Sequence, residues 1–139
     1  MSPEILISNQ SFFKIDNKLV KDTVTPILME EGFLSAEVSI AFIKEEEMRA
    51  INRKYRKKDR VTDILSFPHD GTGLERTGIN FIGEIIICPS AIKIDNKEEI
   101  DGIKKVLIHG ILHLLGYDHE KSEKDEIIMS KKELYYFKK

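Results

Sequence analysis

His109-Gly110-Ile111-Leu112-His113-Leu114-Leu115-Gly116-Tyr117-Asp118-His119 gathers three of the chain's four histidines into eleven residues. The stretch closes the strongest helical pattern in the sequence. From Ile100 to Leu115, residues such as Ile103, Val106, Leu107, Gly110 and Leu114 leave few polar sides. A helix apolar on most faces belongs at the centre of a fold. His109 and His113, four apart, share one face with Cβ atoms roughly 5–6 Å from each other, within reach of a single ion. A third histidine ten residues on would stand well over ~10 Å away along a continuing helix. It returns only if the chain turns after His113, and Gly116 stands where a left-handed residue makes such a turn.

A lone histidine on an apolar helix is ordinarily a satisfied core residue. Two of them at helical spacing on the most buried helix would each need partners, because unpaired polar groups are costly to bury. The glycine turn and the third histidine favour a metal site. Three neutral imidazoles suit Zn2+, with Ni2+ or Co2+ as substitutes, and leave a tetrahedral position open for water. An open position marks a catalytic rather than a structural site, since the ion lowers the pKa of its water toward ~7. Asp118, beside the third histidine, is a candidate to orient an imidazole through its free N–H, and reads equally as an ordinary turn residue. Helical zinc proteases carry a glutamate directly after the first histidine. Here that position is Gly110, which disfavours peptide hydrolysis.

Outward from this stretch, Ser122-Glu123-Lys124-Asp125 resembles a capping box and opens a last helix to about Phe137. Its end, Tyr135-Tyr136-Phe137, reads as core, with base stacking as the alternative. Toward the N-terminus, Phe81 to Cys88 is nearly continuous in large apolar residues, as in a strand buried on both faces. Pro89-Ser90 then begins a short helical stretch to about Lys97. Ile64-Leu65-Ser66-Phe67 is a short strand stopped by Pro68, and His69 to Asn80, with Gly71, Gly73 and Gly78, a long loop. His69 is expected to be solvated and outside the metal site. Ile5-Leu6-Ile7 and the alternating Glu37–Ile43 are strands. Asp16–Glu31 is an amphipathic helix ended by Gly32, and Lys44–Tyr55 a polar helix with Met48, Ile51 and Tyr55 on one stripe. The pattern predicts an α+β fold, a small mixed sheet of about four strands with the ligand helix central and other helices around it.

Bulk properties narrow the rest. The 139 residues predict one domain, able to bury about two-thirds of its unfolded surface without a metal or disulfide. Net charge is −2, so any nucleic acid must be met by a local patch. The single Cys88 excludes an internal disulfide and reads as a small buried hydrophobe, pointing to a reducing compartment. The acidic start lacks a signal-peptide pattern, and no apolar run approaches a membrane span. A cytoplasmic setting with no membrane partner is the expectation.

The local patch exists. Arg53-Lys54-Tyr55-Arg56-Lys57-Lys58-Asp59-Arg60 holds six cations in eight positions, running from the end of the polar helix into a stretch read as loop from Arg56 to Asp63. Such runs are commonly just solvated. Beside a metal site in a slightly acidic chain, however, this one suits phosphate, and arginine's planar fork suits it best.

The histidine stretch closely resembles the signature of the YbeY family, bacterial metal-dependent endoribonucleases of ribosomal RNA maturation. So does Asn52-Arg-Lys-Tyr-Arg56-Lys-Lys-Asp59-Arg-Val-Thr62-Asp63-Ile-Leu65-Ser66-Phe67-Pro68, followed by Gly83-Glu84-Ile85-Ile86-Ile87. The likeness runs through nearly the whole chain in order and spacing. It implies that His109, His113 and His119 are zinc ligands and Arg56 the important cation. It also implies single-stranded RNA as substrate, with 16S rRNA 3′-end processing and ribosome quality control, at the small subunit or its proteins, as the setting. Val61 stands where the family usually has proline and Glu84 where it usually has aspartate. The first alters loop stiffness, and the second puts in question any role needing the shorter carboxylate.

The expected reaction is hydrolytic phosphodiester cleavage, with Arg56, aided by Lys57 or Lys58, stabilising developing charge. Asp118, Glu120 and Asp59 are open candidates for general acid or base. Two readings compete. One is a non-catalytic ribosome-assembly factor with a structural metal site; the other is a metal-dependent hydrolase of small molecules or peptides.

Overall fold

The alternation predicted at 37–43 appears as strand β2, Ala36–Phe42, in a computed structural model that describes residues 2–69, 80–93 and 99–139 of the chain. Ala36, Val38, Ile40 and Phe42 are buried on one face, while Glu37, Ser39 and Ala41 point to the other. Period-two burial of this kind is what a strand between two unlike layers requires.

The remaining described elements are β1 (Glu4–Asn9), α1 (Asn17–Glu30), α2 (Glu45–Arg56), β3 (Ile64–Pro68), β4 (Asn80–Ile87), α3 (Glu99–Leu114) and α4 (Glu123–Phe137). A 3-10 turn, Pro89–Ala91, follows β4. The sheet order is β1-β2-β4-β3, with β1 and β4 both parallel to β2 and β3 antiparallel to β4. Strand β4 is therefore interior, and β3 forms an edge.

One face of the sheet carries the main core. Val38, Ile40, Phe42, Ile85 and Ile87 meet Val20, Val24, Ile27 and Leu28 of α1 and Leu107, Ile108, Ile111 and Leu112 of α3. Each fully buried aliphatic side chain there contributes about 1.5–3 kcal/mol. Helix α3 packs on α1, α4, β3 and β4 at once, which makes it central as its composition required. On the opposite face, Met48 of α2 joins Ile43, Leu65, Ile86 and Cys88 in a smaller cluster. Cys88 is fully buried, as expected of a small hydrophobe.

Three sequence readings change. Arg56 is not in a loop but is the last residue of α2, because Lys57 adopts the left-handed conformation that ends the helix. The helix after Pro89 is only the 3-10 turn as far as it is described; residues 94–98, and 70–79 of the long loop, lie outside the described residues. His69 is half-buried rather than solvated, its ring edge-on to Phe81 at 5.4 Å. At the C-terminus Tyr136 is core, Phe137 half-buried and Tyr135 half-exposed. No described helix is long and apolar enough to cross a membrane.

Candidate metal centre

Helix α3 ends as its sequence demands. Gly116 takes φ +105, its N–H donates to His113 O, and Tyr117 N–H donates to Leu112 O. This paired closure satisfies the last carbonyls and reverses the chain, at a backbone angle that side-chain-bearing residues rarely adopt. The reversal brings His119 back onto the face of His109. Their rings lie 5.5 Å apart at 14°, and the His109 and His113 rings 6.4 Å apart at 7°. The three histidines thus form one near-parallel group, all half-buried.

A residue that sequence reasoning missed joins them. Glu133 of α4 approaches His109 Nδ1 through Oε2 and His119 Nε2 through Oε1, both at 2.8 Å. A carboxylate accepts only, so each neutral imidazole donates its N–H there and keeps a lone pair on its other nitrogen. A carboxylate behind a histidine fixes tautomer and ring orientation at metal sites. Ligating atoms of His109, His119 and Glu133 also lie within 4.8 Å of one another, so this group could itself hold an ion. His113 stands beside it, not within it. The donor chemistry, imidazoles with a carboxylate, fits a zinc-class cation.

The histidines open onto a cleft of about 400 Å³, lined also by Arg56, Ile64, Leu65, Ser66, Asp118 and Glu120. Arg56, the end of α2, reaches it because β3 runs alongside. Its Nη2 donates to Ser66 O at 2.8 Å, and its guanidinium lies 5.4 Å over the Phe67 ring. Behind it, the buried Asn52 side chain donates to Arg60 O and ties down the basic loop. Asp59 is drawn away from this role. It accepts from Arg49 at 2.8 Å and lies 3.8 Å from Arg53. The Arg49 hydrogen bond holds its carboxyl below the ordinary value. Asp118 lines the cleft and also accepts from Glu120 N–H at 2.8 Å, so the turn role is real.

Gly110 sits in tight packing. Gly110 is buried where α3 crosses the sheet, and a Cβ there would meet Ile64 Cδ1 at 2.5 Å and two Ile85 atoms at 3.3 Å. A side chain at that position would have to displace the Ile64 tip, and the carboxylate that does reach the histidines, Glu133, comes from another element.

The chain is similar to known proteins along nearly its whole length. A family model described as "Endoribonuclease YbeY" matches residues 5–139. A protein of that name from Sulfurihydrogenibium sp. is 41% identical over 133 residues, covering 90% of this chain and 84% of the relative. Another, from Finegoldia magna, is 42% identical over 138 residues, covering 93% and 88%. A solution structure of a protein from Thermotoga maritima superposes with a TM-score of 0.65 at 30% identity, covering 96% of this chain and 86% of the other.

Proposed function

The chain belongs to the YbeY family of endoribonucleases, and from that premise we propose that it cleaves single-stranded RNA at the histidine cleft. In this reading residues 1–139 act as one catalytic domain. His109, His113 and His119 hold one Zn2+, for which Ni2+ or Co2+ can substitute, and Glu133 keeps the His109 and His119 rings in register. The setting is the cytoplasm, in 16S rRNA 3′-end maturation and ribosome quality control, with the small ribosomal subunit or its proteins as partner.

The observation that carries this reading is the shared cleft, where an anchored arginine faces three clustered imidazoles. When bound, the ion supplies Lewis acidity and makes water a stronger acid. The chain's own groups do the rest. Arg56 is held on one side by Ser66 O and Phe67, so its remaining guanidinium N–H groups are free to clamp phosphate oxygens. As water's oxygen adds to phosphorus and the ester bond breaks, those fixed donors stabilise the growing negative charge without reorganising. Asp118 and Glu120 are the carboxylates on the cleft able to take the proton from the attacking water and return it to the leaving oxygen. Lys54, Lys57 and Lys58, exposed beside it, attract the RNA backbone.

The test is Arg56→Ala on single-stranded RNA. Cleavage is expected to fall about 10²–10³-fold in kcat with metal content unchanged, the usual loss of one preorganised donor. Arg56→Lys should recover little, because an ammonium cannot both bond Ser66 O and present a planar fork. Wild-type activity in both variants would remove the arginine from the chemistry.

A further inference from the structure

We infer that Glu31, just past the end of α1, is a positioning residue for the metal centre, fixing with one carboxylate both the turn that delivers His119 and the helix that delivers Glu133. Glu31 is not among the described residues that line the histidine cleft. It is 86 residues from Tyr117 and 101 from Lys132 in sequence, and its side chain is only 9% exposed. Tyr117 OH donates to its Oε1 at 2.5 Å. Lys132 Nζ, at 2.9 Å, and Tyr136 OH both donate to its Oε2.

The donors come from two separate places. Tyr117 is the first residue after the Gly116 reversal and stands two positions before His119. Lys132 and Tyr136 flank Glu133 on α4. Lys132 Nζ also sits 5.5 Å over the Tyr117 ring, closing the triangle between turn and helix. The last turn of α1 is packed in the core through Ile27 and Leu28, so Glu31 offers both segments one fixed reference point. The His119–Glu133 contact of 2.8 Å spans those same two segments.

A carboxylate this sheltered is costly unless satisfied. Burial opposes its charge, but hydrogen bonds from Lys132, Tyr117 and Tyr136 outweigh that, and its carboxyl lies below the ordinary value. A purely structural bond between α1 and α4 would not require a donor from the His119 turn. Supporting groups beyond the direct ligands commonly carry 10–100-fold of metal affinity.

The inference rests on the metal reading above, and the experiment separates the two. Zinc affinity of the full chain is measured by competition with a chromophoric chelator, together with thermal unfolding, for wild type, Glu31→Gln, Tyr117→Phe and Val24→Ala. Glu31→Gln keeps the shape but turns one acceptor into a donor, facing either Tyr117 or the pair Lys132 and Tyr136. It is expected to bind zinc about 10-fold more weakly. Tyr117→Phe, which deletes one hydroxyl, should lose several-fold in the same direction, and decides the matter if Glu31→Gln does not fold. Val24→Ala truncates the core on the same helix and should lower stability while leaving zinc affinity unchanged. Wild-type affinity in the Glu31 and Tyr117 variants, or an equal loss in Val24→Ala, overturns the inference alone. A wild-type chain that binds no zinc overturns the metal reading and this inference with it.

Discussion

His119→Ala is expected to lower cleavage of single-stranded RNA at least roughly 10³-fold while the chain stays folded and still binds RNA. His119 lies after the α3 reversal, half-buried and outside the main core cluster, so deleting its ring leaves the sheet, α1 and α3 intact. The loss falls on the site. His119 stacks at 5.5 Å on His109 and shares Glu133 with it, so its removal deletes one proposed ligand and unbalances a second. The measurements are single-turnover cleavage, RNA binding at fixed salt, and circular dichroism. A folded variant that binds RNA but cannot cut separates an enzyme from an assembly factor that only docks. Undiminished cleavage would exclude His119 from the chemistry.

Gly83→Ala is expected to cost the fold about 3 kcal/mol or more, roughly a 10 °C fall in Tm. Gly83 has φ +147, a region side-chain-bearing residues rarely enter. A Cβ there would stand 2.5 Å from Phe67 O and 3.0 Å from Pro68 Cα, both backbone atoms, and 2.7 Å from Leu114 Cδ1. Backbone cannot swing aside as a side-chain tip can. Gly83 is paired with Pro68 at the end of β3, so the clash would push on the edge strand that carries Ser66 and hence on Arg56. Thermal unfolding followed by circular dichroism measures the effect. A shift under about 2 °C would mean that the strands part there without strain.

Much of this architecture is legible in the chain because its periodicities are strong. Helix α3 and the half-buried β2 announce themselves through 3.6- and 2-residue spacing, and Ser122 caps α4 by accepting from Asp125 N–H. The histidine cluster is legible because only a turn at Gly116 makes its spacing useful. The end of α2 is not, since nothing apolar follows Tyr55 and the stop depends on Lys57 adopting a left-handed backbone.

Glu133 and Glu31 escaped because their partners lie far off in sequence, yet a local signal exists for both. Met129, Glu133 and Tyr136 fall at i, i+4 and i+7, with the first and last buried. Val20, Val24, Ile27, Leu28 and Glu31 trace a similar stripe on α1, with the four apolar residues buried. A carboxylate placed on a buried stripe must have donors, and asking which donors leads to the histidines in one case and to Tyr117 in the other. The tight packing at Gly110 shows only in three dimensions, where the side chains of Ile64 and Ile85 lie against it.

We expect RNA cleavage to depend on an ion held by His109, His113 and His119. Elemental analysis of the purified chain, with cleavage of single-stranded RNA before chelation, after it and after zinc is restored, tests this most directly. About one zinc-class ion per chain is expected, with cleavage lost on chelation and recovered on re-addition. A metal-free, folded chain that cuts RNA at an undiminished rate would contradict it, and would move the chemistry onto Arg56 and the carboxylates of the cleft.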